Sequence, residues 1–467
     1  MNKENLVLTV VVIGTLMASI DSTIVLLAFP TITSALHSNI ATIIWVILIY
    51  IIVVATLSTQ LGKIGDVYGR SRMFNLGFAL FTIFSFLCGL APTDISLIIF
   101  RAFQAVGGAL ISSNSGAIIA DTFEKNRIGR AYGYTSMSWN IGALLGILLG
   151  GIITTFIGYR YIFYINVPIG ILATALGLRY IKDNARAKEN IDLLGMSLMG
   201  LAISILSYAG INYASVGLTQ FNILLTVLGA AFALAFVLAE RRVKLPAIDF
   251  AMFKNKVFKN SLAAALFQGL GFMGVTFLLI MYLQGIRGLT PFLASLVLFP
   301  GYIVSSIFAP IMGRFSDKYG ARLLATLGIF FLIAGVAFYT LYLQVATPLY
   351  YVVFGTIVTG FGGAMFWPAN NSAVMANVED RFRGVASGTL RLFGNIGLIG
   401  SFIIAFVAAS AAIPRAQAFA VFVGTSKVIG GVGKSFVFGM HVAFAALMAM
   451  LLLAGLFSLA RGKEQRN

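Results

Sequence analysis

Long apolar runs separated by short polar segments dominate the chain. An α-helix needs about 20 apolar residues to cross a bilayer core roughly 30 Å thick, and most of these runs reach that length. Apolar runs this long predict membrane-spanning helices. Fourteen of them fall at 6–29, 43–61, 74–91, 95–119, 131–156, 161–181, 193–213, 221–239, 262–284, 291–312, 323–343, 349–376, 385–411 and 436–460. We therefore predict an all-α polytopic membrane protein with fourteen transmembrane helices.

Basic residues alternate sharply between successive polar segments. One set of segments holds 26 of the 32 lysines and arginines, the other set holds five, and Arg101 lies inside a span. Cytoplasmic loops are the basic ones, so the first set is predicted to be cytoplasmic. An even number of spans then places both termini in the cytoplasm. The five basic residues on the opposite side are Arg160, Arg287, Arg415, Lys427 and Lys434.

The overall composition agrees with this partition. Hydrophobic residues make up 59% of the chain and charged residues 10%, against about 25% charged residues in a soluble domain. The net charge of +17 follows from basic cytoplasmic loops and needs no nucleic-acid partner. Cys88 is the single cysteine, so no internal disulfide is possible.

The chain repeats itself. At an offset of 255 residues Gly107, Glu124, Gly129 and Asn140 match Gly362, Glu379, Gly384 and Asn395, and at an offset of 251 Asp66 matches Asp317. Two related halves around a central site are the architecture of many transporters. We predict a six-helix bundle over 1–181, a two-helix insertion with cytoplasmic linkers over 182–261, and a second six-helix bundle over 262–467.

Two glycine-rich loops occupy equivalent places in the halves, GKIGDVYGRSR at 62–72 and GRFSDKYGARL at 313–323. Glycine permits the tight turn between antiparallel helices, and an aspartate near a helix end caps it or pairs with a basic side chain. The loop at 62–72 resembles the signature loop of the major facilitator superfamily. That resemblance implies a gating role for Gly62, Asp66, Gly69, Arg70, Gly313, Asp317 and Gly320. The alternative is a merely solvated polar turn.

Further stretches resemble the drug:proton antiporters with fourteen spans: IDSTIVLLAFP at 20–30, RAFQAVGGA at 101–109 and GYRYIFYINVPIG at 158–170. Span five resembles their antiporter motif through its glycines, although Ile147 stands where a proline is usual. The resemblance implies the major facilitator fold, with two pseudo-symmetric six-helix bundles and alternating access. It also implies close helix packing at Gly142, Gly146, Gly150 and Gly151.

Asp21 is the acid that lies deepest inside a predicted span. Ionisable groups there are costly and mark ion pathways. Small residues share its helix face, so we predict that it points inward, while Leu16, Ile20, Ile24 and Leu27 on the opposite face suit lipid. Arg101 of span four falls near the same depth. We therefore predict an Asp21–Arg101 proton-coupling pair; the alternative is a fixed structural ion pair that never titrates.

Other polar side chains in the spans are candidates to line a substrate cavity. They are Tyr50, Gln104, Asn114, Asn140, Gln268, Asn370 and Asn371. Individually, such side chains more often make helix–helix hydrogen bonds than bind a substrate.

The antiporter resemblance implies a secondary active transporter in the cytoplasmic membrane that exports small hydrophobic compounds, cationic or neutral, in exchange for protons. We expect a monomer with no cofactor and no metal. Three alternatives stay open at this point. A proton-coupled transporter of one metabolite or lipid would have the same fold. A scaffold or receptor would not need a buried ionisable pair, and a membrane enzyme would need a nucleophile or metal cluster that the sequence does not display.

Overall fold

A computed structural model describes residues 3–123, 128–181, 193–242, 250–378, 383–411 and 432–462. In these ranges fourteen helices are long and apolar enough to cross a membrane, as the hydrophobic pattern predicts. Helices satisfy their backbone hydrogen bonds internally, which the hydrocarbon core requires of any spanning segment. The fourteen-span all-α architecture is thereby confirmed.

The described residues before position 242 form ten helices. They are α1 (Lys3–Ala35), α2 (Ile40–Ile43), α3 (Trp45–Tyr68), α4 (Arg70–Leu90), α5 (Asp94–Thr122), α6 (Ile128–Phe156), α7 (Tyr161–Tyr164), α8 (Asn166–Tyr180), α9 (Leu193–Val216) and α10 (Gln220–Glu240). Local signals set several ends. Thr93 accepts a hydrogen bond from the Ser96 backbone N–H and so caps α5, and Gly69, with φ of 111°, separates α3 from α4.

The described residues from 250 onward form a 3₁₀ turn (Phe250–Lys254) and six helices. The helices are α11 (Lys256–Met281), which continues as a π-helical turn (Tyr282–Ile286), α12 (Pro291–Tyr319), α13 (Ala321–Tyr342), α14 (Leu349–Ala376), α15 (Arg383–Ala411) and α16 (Val432–Leu459). Asn255 caps α11 by accepting from the Val257 backbone N–H at 2.9 Å. Gly320, with φ of 97°, separates α12 from α13.

Contacts group the chain into two units. The first contains residues 1–196 with 290–295, and the second contains 197–289 with 296–467. The predicted two-helix insertion falls largely in the second unit, where a methyl group at Gly210 of α9 would lie 2.4 Å from the Ile403 side chain of α15. Its separate status as an insertion stays a prediction.

Helix α1 is enclosed on both faces. Ile20, Ile24 and Leu27 are at most 3% exposed, so the expectation that they meet lipid is wrong, while Leu16 on the same face is half-buried. The cause is the glycine row of α6: methyl groups at Gly146 and Gly150 would lie 2.8 Å from the carbonyl oxygens of Ile20 and Ile24. A helix without side chains at these positions lets the α1 backbone approach and buries its bulky residues.

Candidate functional site

A cluster of four buried polar side chains lies inside the first unit, around the carboxylate of Asp21. Nη1 of Arg101 donates to Asp21 Oδ2 at 2.7 Å. The other carboxylate oxygen accepts from Gln104 Nε2 at 3.0 Å and from Asn166 Nδ2 at 3.1 Å. All four residues are at most 1% exposed. Helices α1, α5 and α8 thus converge on one acid.

Arg101 is held from several sides at once. Its Nε donates to the Val46 carbonyl oxygen at 3.1 Å, and Nη1 also donates to Gln104 Oε1 at 2.8 Å. The guanidinium carbon lies 4.4 Å from the centroid of the Tyr50 ring, within range for a cation–π contact. Tyr50, predicted as a cavity residue, is therefore part of the arginine's environment.

Gln104 uses both ends of its amide. Its Nε2 donates to Ser85 Oγ at 2.7 Å as well as to Asp21, and its Oε1 accepts from Arg101 and from the Cys88 thiol at 3.7 Å. Taking two charges out of water is costly unless they pair and their remaining lone pairs and protons are hydrogen-bonded. The glutamine completes such a network, because it contacts both the acid and the base.

Asn166 belongs to the cluster although no prediction singled it out. It is the first residue of α8, directly after the break that separates α7 from α8. Pro168 has no N–H to donate to the Tyr164 carbonyl, and its ring crowds that carbonyl, so a helix break is expected there. An asparagine two residues before a proline in an apolar run is the sequence signal that could have identified it.

The other predicted cavity residues do not join this cluster. Asn114 is buried and donates to the Leu110 carbonyl of its own helix at 2.9 Å. In the second unit Gln268 is buried, and Asn370 accepts from Arg461. Asn140 is half-buried and Asn371 is exposed. For these five residues a cavity role stays a prediction.

The predicted packing glycines lie where α6 meets other helices of the first unit. A methyl group at Gly142 would lie 2.7 Å from Ser19 Cβ, and one at Gly146 would lie 2.0 Å from Thr23 Oγ1. Gly150 approaches the Ile24 carbonyl, and Gly151 approaches Ser295 near the start of α12. No side chain fits at these four places without displacing a neighbour.

The gating loops are described in part. Gly62 and Gly313 lie near the ends of α3 and α12, and Gly69 and Gly320 have positive φ. The Arg70 guanidinium donates to both carboxylate oxygens of Asp121, at 2.7 and 2.8 Å, and this pair joins the start of α4 to the end of α5. The side chains of Asp66 and Asp317 lie outside the described part of the structure, so their gating contacts stay a prediction.

Among the described residues, no group of three or more histidine, cysteine, aspartate or glutamate side chains is arranged to hold a metal ion. A polytopic helical membrane protein that buries an acid–base pair between its spanning helices has two features that are typical of membrane transporters.

Comparisons with known proteins identify the family. Residues 11–402 match the model of the Major Facilitator Superfamily. The chain is 32% identical over 402 residues to the riboflavin transporter RibZ of Clostridioides difficile, covering 85% of this chain and 86% of that protein. It is 33% identical over 388 residues to multidrug resistance protein 3 of Bacillus subtilis, covering 82% and 75%.

A solved structure agrees on the fold. The bacterial homologue of the human lysosomal transporter Spinster aligns with a TM-score of 0.71 at 17% identity, covering 99% of this chain and 97% of that one. The chain belongs to the Major Facilitator Superfamily, and it is a multi-pass membrane transporter.

Proposed function

We propose that this transporter is a proton-coupled antiporter that exports small hydrophobic compounds, cationic or neutral, across the cytoplasmic membrane by alternating access. The observation that carries the proposal is the Asp21–Arg101 pair, buried at 0% and 1% exposure inside the spans. Intramembrane ionisable residues are expensive to bury and are typical of proton and substrate pathways.

The contacts of Asp21 suggest how protonation would be coupled to movement. Both carboxylate oxygens accept from donors on other helices. Protonation would remove the negative charge that attracts Arg101 and would weaken the hydrogen bonds from Gln104 and Asn166, so the contacts between α1 and α5 or α8 would loosen. Proton binding would therefore bias the helix arrangement, and cargo that competes for the same state would be exchanged for the proton.

The expected cargo class rests on the relatives. The similarity to multidrug resistance protein 3 supports export of varied hydrophobic compounds, and an acid that accepts either a proton or a cation would suit cationic cargo. The basic loops support cytoplasmic termini.

A second candidate is a transporter of one defined solute. The similarity to a riboflavin transporter, at 32% identity over 85% of the chain, favours it. The two candidates share the fold, and the breadth of the substrate profile separates them.

Transport by purified protein in liposomes tests both candidates. A panel of lipophilic cations, neutral dyes and riboflavin is measured with and without an imposed pH gradient. Multidrug antiport predicts gradient-driven movement of several chemically unrelated compounds. Movement of riboflavin alone would favour the second candidate, and gradient-insensitive transport of every compound would refute proton coupling.

A further inference from the structure

Two amide side chains contact the Asp21 carboxylate, and they differ in one respect. Gln104 has partners on both its nitrogen and its oxygen. Asn166 donates to Asp21 Oδ1 through Nδ2 at 3.1 Å, while its own Oδ1 is buried without a hydrogen-bond partner among the residues that the structure describes. A buried amide oxygen without a hydrogen-bond partner lowers the stability of the folded protein. The unpartnered oxygen of Asn166 therefore needs a structural or functional explanation.

A half-turn of the Asn166 amide about χ2 exchanges Oδ1 and Nδ2 with little change of shape. The turned amide would present an acceptor to Asp21 Oδ1. An ionised carboxylate would repel that acceptor, whereas a protonated carboxyl would donate its hydrogen to it. Gln104 cannot turn in this way without losing its contact with Arg101, because the guanidinium only donates and would face the amide nitrogen.

We propose that Asn166 is a positioning residue whose amide turns with the protonation state of Asp21. It donates to the carboxylate and accepts from the carboxylic acid, so α8 holds the acid when Arg101 releases it. This inference rests on the proposed function, since it concerns the proton carried by Asp21. The proton enters from water on one side and leaves on the other; Asn166 neither gains nor loses one.

The other groups around Asp21 cannot replace this role. Arg101 of α5 donates only, and it is the partner that protonation displaces. Tyr50 of α3 faces the guanidinium, and Cys88 of α4 reaches the cluster through Gln104 Oε1. Of the two amides that touch the acid, Asn166 is the one whose acceptor is unengaged.

The test compares Asn166→Leu, which keeps the branched shape, with the matched control Asn75→Leu. Asn75 is buried in the same unit, donates to the Ser71 carbonyl at 2.9 Å and also has an unpartnered oxygen, but it is not in contact with Asp21. Two properties are measured: the infrared titration of the Asp21 carboxyl, assigned by its loss in Asp21→Asn, and the pH profile of transport in liposomes.

In Asn166→Leu both protonation states lose one hydrogen bond. The bond to the ionised carboxylate is the stronger of the two, so the titration midpoint should move to higher pH, and the carbonyl band of the protonated acid should shift as well. Maximal pH-driven export should fall about tenfold, whereas in Asn75→Leu it should stay within about twofold of the wild type. Asn166→Ser, whose hydroxyl donates and accepts, should recover part of the lost export and part of the shift of the acid band.

A midpoint that moves to higher pH with an unchanged acid band would show that Asn166 only donates to the carboxylate, and would overturn the inference. Equal behaviour of Asn166→Leu and Asn75→Leu, or an Asp21 that does not titrate, would also overturn it. If Asp21 titrates as expected but the wild type shows no gradient-driven transport, the proposed function fails and the infrared result still decides the role of Asn166.

Discussion

The sequence repeat links positions in the two units, and the linked positions differ where the first unit holds its charges. At the offset of 255 residues Arg101 corresponds to Thr356, and at the offset of 251 Tyr50 corresponds to Gly301. In the first unit the arginine lies over the tyrosine ring. In the second unit a methyl group at Gly301 would lie 2.5 Å from the Thr356 carbonyl oxygen. The backbones of α12 and α14 are therefore in contact at the positions where the first unit places the side chains of Tyr50 and Arg101.

Helix packing also shows which helix of the second unit corresponds to α1, the helix that carries Asp21. A methyl group at Gly142 of α6 would lie 2.9 Å from the Leu16 carbonyl oxygen, and one at the repeat-related Gly397 of α15 would lie 2.5 Å from the Leu266 carbonyl oxygen. The two contacts align α1 with α11 at an offset of 250 residues.

At that offset Asp21 corresponds to Gly271, where a methyl group would lie 2.8 Å from the Leu447 carbonyl oxygen of α16. The acid, the base and the aromatic ring of the first unit are thus matched by glycine, threonine and glycine. At these three positions one copy holds a buried ionic cluster and the other makes close helix contacts, so the repeat-related positions differ in chemistry.

The largest effect is expected from removing the titratable group of the first unit. Asp21→Asn keeps the side-chain shape, so pH-driven export should fall to the level of empty liposomes while the protein still inserts into the membrane. Asp121→Asn is the control, because that acid lies at a helix end and is 40% exposed in its pair with Arg70. Full gradient-driven export by Asp21→Asn would refute the proton-carrying role.

Removing the base should show how costly an unpaired buried charge is. Arg101→Ala leaves the Asp21 carboxylate without its countercharge and should lower the free energy of unfolding by about 3–5 kcal/mol, measured by thermal denaturation in detergent. Thr356→Ala is the repeat-related control. It removes only a hydrogen bond to the Val353 carbonyl within α14, so its effect should be about 1 kcal/mol or less. Equal losses would contradict the asymmetry between the units.

In the second unit stability should depend on the room available for side chains where helices are in close contact. A methyl group at Gly360 would lie 2.2 Å from the Gly301 carbonyl oxygen, whereas one at Gly363 would meet nothing within 4 Å. Gly360→Ala should therefore cost about 1–3 kcal/mol through overpacking, and Gly363→Ala should be neutral or slightly stabilising. Neither variant should change the pH dependence of transport. A destabilised Gly363→Ala would contradict the packing argument.

The smallest effect is expected at the Arg70–Asp121 pair. Because its side chains are 31% and 40% exposed, Asp121→Asn should lower the free energy of unfolding by about 0–1 kcal/mol. Added salt should reduce the difference from the wild type, since exposed pairs are screened. A large, salt-independent loss would indicate a role for the pair beyond a surface contact.

Much of the fold could be predicted from the sequence, because a bilayer imposes one strong rule. Each spanning segment must be long, apolar and helical, so the fourteen helices could be counted from hydrophobicity alone. Asp21 and Arg101 stood out for the same reason, as ionisable residues within apolar runs. Their matching depths were enough to predict that they would pair.

The tertiary structure decided what hydrophobicity does not encode. It buried the second face of α1, because glycines in α6 admit the α1 backbone, a contact that depends on which helices become neighbours. It brought Asn166 to Asp21 across 145 residues of sequence, which depends on how the helix that carries Asn166 is rotated against α1. It also separated Asn114 and Asn370 from the cluster. An apolar pattern fixes how deep a residue lies in the membrane, whereas the rotation and pairing of helices depend on side-chain shape at their contacts.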